Sequence, residues 1–141
     1  MPIQFVLLPL FVQVLLTFAL FFWMAYYRVT LLRRGVVRQG EIALREPNWP
    51  PEALQVANAA HNQLEIPMLF YVLTILSIIT HHADIVFIVL AWIFVLSRLA
   101  HAYVHTTSNI VTKRGPLFGI GLFVLLIMWI IFVVRILSGL P

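Results

Sequence analysis

The sequence predicts an all-α integral membrane protein, a four-helix bundle that forms a single domain over residues 1–141. Of its 141 residues, 62% are hydrophobic and 10% are charged, whereas a soluble domain is about half apolar and about one quarter charged. The mean hydropathy is +1.02. A helix needs about 20 mostly apolar residues to cross a bilayer, and four stretches of this kind occupy most of the chain. This composition excludes a soluble globular domain, and it excludes disorder, which requires low hydrophobicity and high net charge.

The first span is predicted at about residues 5–30, where Gln13 and Thr17 are the polar interruptions. We expect an uncleaved span, because it lacks the basic start and the cleavage site of a signal peptide. The second span, at about residues 51–80, follows Asn48, a potential helix cap, and two prolines that suit a first turn. Pro67 should bend it, since the proline ring removes a backbone hydrogen bond within a helix.

The third and fourth spans are predicted at about residues 84–110 and 115–137. Asp84 stands at the start of the third span, where its side chain can cap the helix. We therefore interpret Asp84 as a structural residue rather than a catalytic acid. The fourth span follows Gly115 and carries no charge before Arg135.

Positive charges predict the orientation, because Lys and Arg concentrate in cytoplasmic connections. The first and third connections carry such residues, whereas the second, at residues 81–84, carries none. They are Arg28, Arg33, Arg34, Arg38 and Arg45 in the first connection and Lys113 and Arg114 in the third. We expect both termini on the non-cytoplasmic side of a bacterial inner membrane. The net charge of +4 then reflects contact with anionic lipid rather than a nucleic-acid partner.

The second and third spans each carry a row of polar side chains on one helical face. The spacing is i, i+3, i+4, i+7 in the second span and i, i+3, i+7 in the third. The residues are Asn58, His61, Asn62 and Glu65, and then Arg98, His101 and His105. Glu65 and Arg98 both lie roughly 20 Å from the cytoplasmic ends of their spans. Since a lone charge costs about 2.5–3.5 kcal/mol at this depth, we predict a Glu65–Arg98 ion pair beside a cavity that opens to the cytoplasm.

Other interpretations fit the same residues. The polar groups could be hydrogen-bonding contacts that hold two helices together. His61, His101 and His105 could bind a metal ion or a haem. Arg98 would repel a cation, however, and the chain has no cysteine. We predict no metal site.

The segments Asn62–Pro67 and Arg98–His101 resemble the signature of the MAPEG family, membrane-associated proteins in eicosanoid and glutathione metabolism. The resemblance covers most of the chain and suggests a bacterial-type member. It implies a homotrimer with glutathione, as substrate or cofactor, bound between neighbouring subunits on the cytoplasmic side. It also implies an enzyme that conjugates or reduces small lipophilic electrophiles, which enter from the membrane lipid.

By position, the resemblance implies a role for each polar residue. Arg114 would be catalytic and would hold the thiolate, because a cation beside a thiol favours its ionised form. Arg98 would pair with Glu65 and support the site. The arginine that ends the first span would be Arg28 or Arg33, and we take Arg28. The predicted glutathione-binding residues are Asn58, Asn62, Glu65, Arg98, His101, His105 and Arg28.

The chain also departs from the family pattern. Asn58 stands where catalytic members often carry an arginine, and His105 where many carry a tyrosine. The interval from Glu65 to Pro67 is two residues instead of three. These departures keep two alternatives open, namely a non-catalytic membrane scaffold or amphipathic-anion binder, and a haem or metal electron carrier.

Overall fold

The computed structural model describes residues 2–37, 40, 49–108 and 111–140, with the backbone alone at 111 and 112. In this part of the chain, five long helices form four candidate membrane spans, because two of them share one span. The helices are α1 (Ile3–Arg33), α2 (Pro51–Asn62), α3 (Ile66–Ile79), α4 (Ile85–Thr106) and α5 (Val111–Ser138). The predicted all-α class is confirmed, and four helical stretches are long and apolar enough to cross a membrane. The predicted cap Asn48 and the cytoplasmic charges Arg38 and Arg45 lie outside the described residues.

The first span ends at a glycine. Gly35 has a φ of 72°, a left-handed conformation that a side chain disfavours. The N–H of Gly35 donates to the Leu32 carbonyl, and the N–H of Val36 donates to the Leu31 carbonyl. This pattern of two bonds closes the last turn of a helix, so α1 stops there, directly after Arg33 and Arg34.

The second span is broken, whereas the sequence predicted only a bend. α2 ends at Asn62, α3 begins at Ile66, and the N–H groups of the residues between them donate to carbonyls three positions back. Pro67 lies in the first turn of α3, where its missing N–H costs nothing. The predicted polar face therefore does not continue as one helix to Glu65, which follows the end of α2.

The main apolar core lies between α3, α4 and α5. The ring of Phe70 stacks on Phe94 with centroids 4.9 Å apart, and both side chains are fully buried. Nearer the other end of the bundle, Ala59, Ala60 and Ala102 pack against Leu20 of α1. Small residues allow helix backbones to approach closely in a membrane, and here they bring α1, α2 and α4 together.

Asp84 caps α4, as predicted. Its Oδ1 accepts from the N–H of Phe87 at 3.1 Å, and its Oδ2 lies 2.8 Å from Arg135. Partial burial opposes ionisation, but the Phe87 hydrogen bond and the Arg135 charge outweigh it and hold the pKa of Asp84 below its ordinary value. Because the folded pKa is lowered, the resulting stability is present at neutral pH and is lost as the pH falls through that pKa.

Gly121 marks the closest approach of α5 to α4. A Cβ at this position would lie 2.8 Å from the Ser97 hydroxyl and 3.7 Å from Cδ of Arg98. We expect Gly121→Ala to destabilise the protein by about 1–3 kcal/mol through overpacking, measured by thermal unfolding in detergent. Gly119→Ala is the control, because a Cβ there meets no described atom within 4 Å. Equal unfolding temperatures for the two variants would contradict the close approach.

Candidate functional site

A polar cavity of ≈ 530 Å³ lies at the end of the bundle where α2 stops and α5 starts. Small-molecule sites usually measure about 300–1,000 Å³. Its lining residues are Asn58, His61, Asn62, Glu65, His101, His105, Arg114, Gly115 and Phe118. The cavity thus collects most of the predicted site residues from three separate parts of the chain. Arg98 and Arg28 lie outside its wall.

One wall comes from α2 and the break that follows it. Asn58 and His61 are exposed, Asn62 is half-buried, and Glu65 is exposed. The amide oxygen of Asn62 is buried, with no hydrogen-bond partner among the described residues. His61 also packs edge-on against Phe21 of α1, with centroids 5.9 Å apart. This wall therefore presents amides, an imidazole and one carboxylate to the cavity.

The opposite wall comes from α4. His101 and His105 are 2% and 7% exposed, and their rings are 5.5 Å apart. The Nδ1 atom of each ring is buried, and neither has a protein partner in the described part of the chain. The ring of His101 packs against Phe118 of α5 with centroids 5.7 Å apart. The two imidazoles are therefore held by packing.

Arg114 lies in the first turn of α5, because this helix starts at Val111 rather than near Gly115 as predicted. The first N–H groups of a helix lack intrahelical acceptors and give that end a partial positive charge. Arg114 lines the cavity and is half-buried, whereas the neighbouring Lys113 is exposed and lies outside the wall. The start of α5 therefore adds a full and a partial positive charge to the cavity.

Arg98 is buried beneath this site, at 1% exposure. Its guanidinium carbon lies 5.8 Å from the Phe118 ring centroid. Its Nε and Nη2 atoms are buried, and the structure gives them no hydrogen-bond partner within the residues that it describes. The predicted direct pair with Glu65 is therefore not formed, because the break after α2 leaves Glu65 exposed at the cavity.

Arg28 lies at a different place. Its guanidinium carbon stands 5.4 Å from the centroid of the Trp49 ring, a cation–π contact with a buried aromatic side chain. Its Nε is buried and has no partner among residues with a described position. In this chain, Arg28 therefore lies apart from the predicted site residues that line the cavity.

The three cavity histidines are not arranged as a three-residue set of metal ligands in the described part of the chain. Across residues 2–37, 40, 49–108 and 111–140, no group of three or more His, Asp or Glu side chains is placed to hold a metal ion. His61, His101 and His105 share the cavity without forming such a set. The electron-carrier alternative therefore gains no ligand set from the structure.

Sequence analysis missed a buried amide pair and an aromatic residue. The Gln13 amide donates to the Gln63 carbonyl oxygen at 2.7 Å, and both side chains are fully buried. Phe118 packs against both His101 and Arg98. Its position one turn after Arg114 was a usable signal, because residues four apart share a helix face. The Gln13–Gln63 contact had no comparable local signal.

A family model described as the MAPEG family matches residues 6–134, which is most of the chain. The chain belongs to the MAPEG family. Comparisons with curated proteins and with solved structures found no match. Membership agrees with the four apolar spans, so this MAPEG chain is an integral, multi-pass membrane protein of that family.

Proposed function

We propose that this MAPEG protein binds glutathione in the polar cavity and uses its thiol to conjugate or reduce lipophilic electrophiles. One observation carries the proposal. Asn58, Asn62, Glu65, His101, His105 and Arg114 surround a single space of ≈ 530 Å³. The MAPEG family is generally associated with glutathione, and Asn62, Glu65, His101 and Arg114 stand at positions to which the family resemblance assigns a role in its binding or activation.

The cavity offers groups that complement glutathione, a tripeptide with two carboxylates, an ammonium group and a thiol. Glu65 suits the ammonium group, because it is the acidic residue in the cavity lining. Asn58 and Asn62 suit the peptide groups, since an amide both donates and accepts hydrogen bonds. The arginine and the histidine N–H groups suit anionic oxygen or sulfur.

Arg114 would activate the thiol. Its positive charge, together with the start of α5, favours loss of the thiol proton and stabilises the thiolate. In conjugation, the sulfur forms a bond to an electrophilic carbon, which releases a leaving group or takes up a proton. In peroxide reduction, two glutathione molecules become one disulfide, while the hydroperoxide becomes an alcohol and water.

The proposal includes a homotrimer in a bacterial inner membrane, with the cavity facing the cytoplasm. The basic residues Arg33, Arg34 and Lys113 lie at the cavity end of the bundle, which supports this orientation. Arg28 stands apart from the cavity of its own protomer. This separation fits a contribution to a neighbouring subunit's site.

Titration of the purified protein with glutathione tests the proposal, with thiolate absorbance as the signal. We expect a saturable signal from the wild type, loss of that signal in Arg114→Ala, and retention in Lys113→Ala. Lys113 is the matched control, because it is the adjacent cation and lies outside the cavity wall. The absence of a saturable signal in the wild type and Arg114→Ala alike would overturn the proposal in favour of a scaffold or a binder of another anion.

A further inference from the structure

Two glutamine side chains join the first span to the break in the second, and we call this pair the glutamine clasp. Gln13 lies on α1, and Gln63 is the first residue after α2. Both side chains have 0% exposure. The Gln13 amide donates to the Gln63 carbonyl oxygen at 2.7 Å, and the Gln63 amide donates to the backbone carbonyl of Ala59 at 3.0 Å. The clasp therefore ties α1 to the last turn of α2.

The clasp acts at the point where the cavity wall changes direction. Gln63 is flanked by Asn62 and followed two residues later by Glu65, and both of these line the polar cavity. Gln63 itself points the other way, into the protein interior. Because adjacent residues share one backbone, holding Gln63 fixes the directions in which Asn62 and Glu65 leave the chain.

The environment of the clasp makes it a strong restraint. In a membrane interior, a buried amide finds no water to replace a lost partner, so the bond from Gln13 to Gln63 gains strength from the low dielectric. The Oε1 atom of Gln13 is itself buried and has no hydrogen-bond partner among the described residues. The backbone across the break relies on bonds between residues three apart, which are weaker in geometry than α-helical bonds. A break of this kind needs support from outside its own span, and Gln13 supplies it.

We infer that Gln13 is a positioning residue for the polar cavity. It lies outside the cavity wall, and it acts through Gln63 to hold Asn62 and Glu65 in their places. Loss of the clasp lets the junction of α2 and α3 adopt several angles, so these two groups no longer converge on one ligand. The identity of that ligand rests on the proposed function, whereas the mechanical role of the clasp does not.

Glutathione titration of the full chain tests the effect on the site. We expect Gln13→Leu to raise the Kd for glutathione at least tenfold. Thr17→Val is the matched control, because Thr17 is the next polar residue on α1; it donates to the Gln13 carbonyl and lies 3.5 Å from the Tyr71 hydroxyl, but it makes no bond to Gln63. We expect it to change the Kd less than twofold. Adding Gln63→Leu to Gln13→Leu should weaken binding little further, since the two residues act as one unit. An unchanged Kd in Gln13→Leu would overturn the inference.

A second measurement is independent of glutathione. The chain has no cysteine, so spin labels on introduced cysteines at Glu52 and Ile79 report the angle across the break without background labelling. We expect a single narrow distance distribution in the wild type and Thr17→Val, and a broad one in Gln13→Leu. An unchanged distribution in Gln13→Leu would disprove the clasp. A broadened distribution, with a wild type that binds no glutathione, would refute the proposed function and leave the clasp supported.

Discussion

Replacing Arg114 with alanine is expected to lower kcat/KM for glutathione conjugation by about 100-fold or more. Removing one preorganised group that stabilises developing negative charge costs about 10²–10³ in rate in well-studied enzymes. Arg114 lines the cavity in the first turn of α5, where its charge adds to the positive end of the helix. The measurement is initial-rate kinetics with a small lipophilic electrophile in detergent or vesicles.

The pH profile separates this role from a general loss of folding. In the wild type, the conjugation rate should already increase at pH values below the pKa of the free thiol, because Arg114 favours the thiolate. In Arg114→Ala, the pH at which the rate increases should move towards the ordinary pKa of a thiol, about 8.5. The loss of rate in Arg114→Ala relative to the wild type should therefore be smaller at high pH. Lys113→Ala should retain the wild-type profile, and a deficit in Arg114→Ala that stays constant with pH would contradict thiol activation.

Replacing Glu65 with glutamine is expected to destabilise the protein more than replacing Arg98 with methionine. Arg98 is buried, whereas Glu65, the acidic residue in the lining of the polar cavity, is exposed. Glu65→Gln removes an exposed carboxylate whose interaction with Arg98 is screened by solvent, so it should cost about 0.5–1 kcal/mol. Arg98→Met removes the buried charge and leaves Glu65 hydrated, so it should be neutral or stabilising.

Thermal or denaturant unfolding in a fixed detergent compares these variants. The double variant should resemble Arg98→Met more than Glu65→Gln, since the cation that needed compensation is gone. Glu52→Gln is the control, because Glu52 is an exposed carboxylate at the start of α2, and we expect it to be nearly neutral. A larger loss in Arg98→Met than in Glu65→Gln would indicate that the guanidinium has strong partners.

The fold and most of the cavity could be predicted because their signals are local. Apolar runs of membrane-spanning length identify the spans, and a spacing of three and four residues places Asn58 and Asn62 on one face. His101 and His105 share a face for the same reason. Helix geometry alone gives each row, and the short connection between the second and third spans predicts that the two rows lie side by side.

The remaining features depend on contacts between distant residues. Pro67 predicts a bend in the second span. The break itself is stabilised by the hydrogen bond from Gln13, which lies 50 residues before Gln63. The break then decides that Glu65 is exposed at the cavity and does not contact Arg98. The stacking of Arg28 on Trp49 is equally non-local. Helical spacing gives the face of a residue, whereas these outcomes depend on which neighbour occupies that face.

The two ends of the helix bundle differ in the side-chain contacts that connect their helices. Asp84 binds Arg135, and His82 donates to the carbonyl of Leu140 at 2.8 Å, so the turn before α4 is tied to the end of α5. At the opposite end, the polar cavity is lined by residues from α2, α4 and the start of α5. The bonds that fix the turn before α4 to the end of α5 therefore lie away from the cavity, so a ligand can enter or leave the cavity without breaking them.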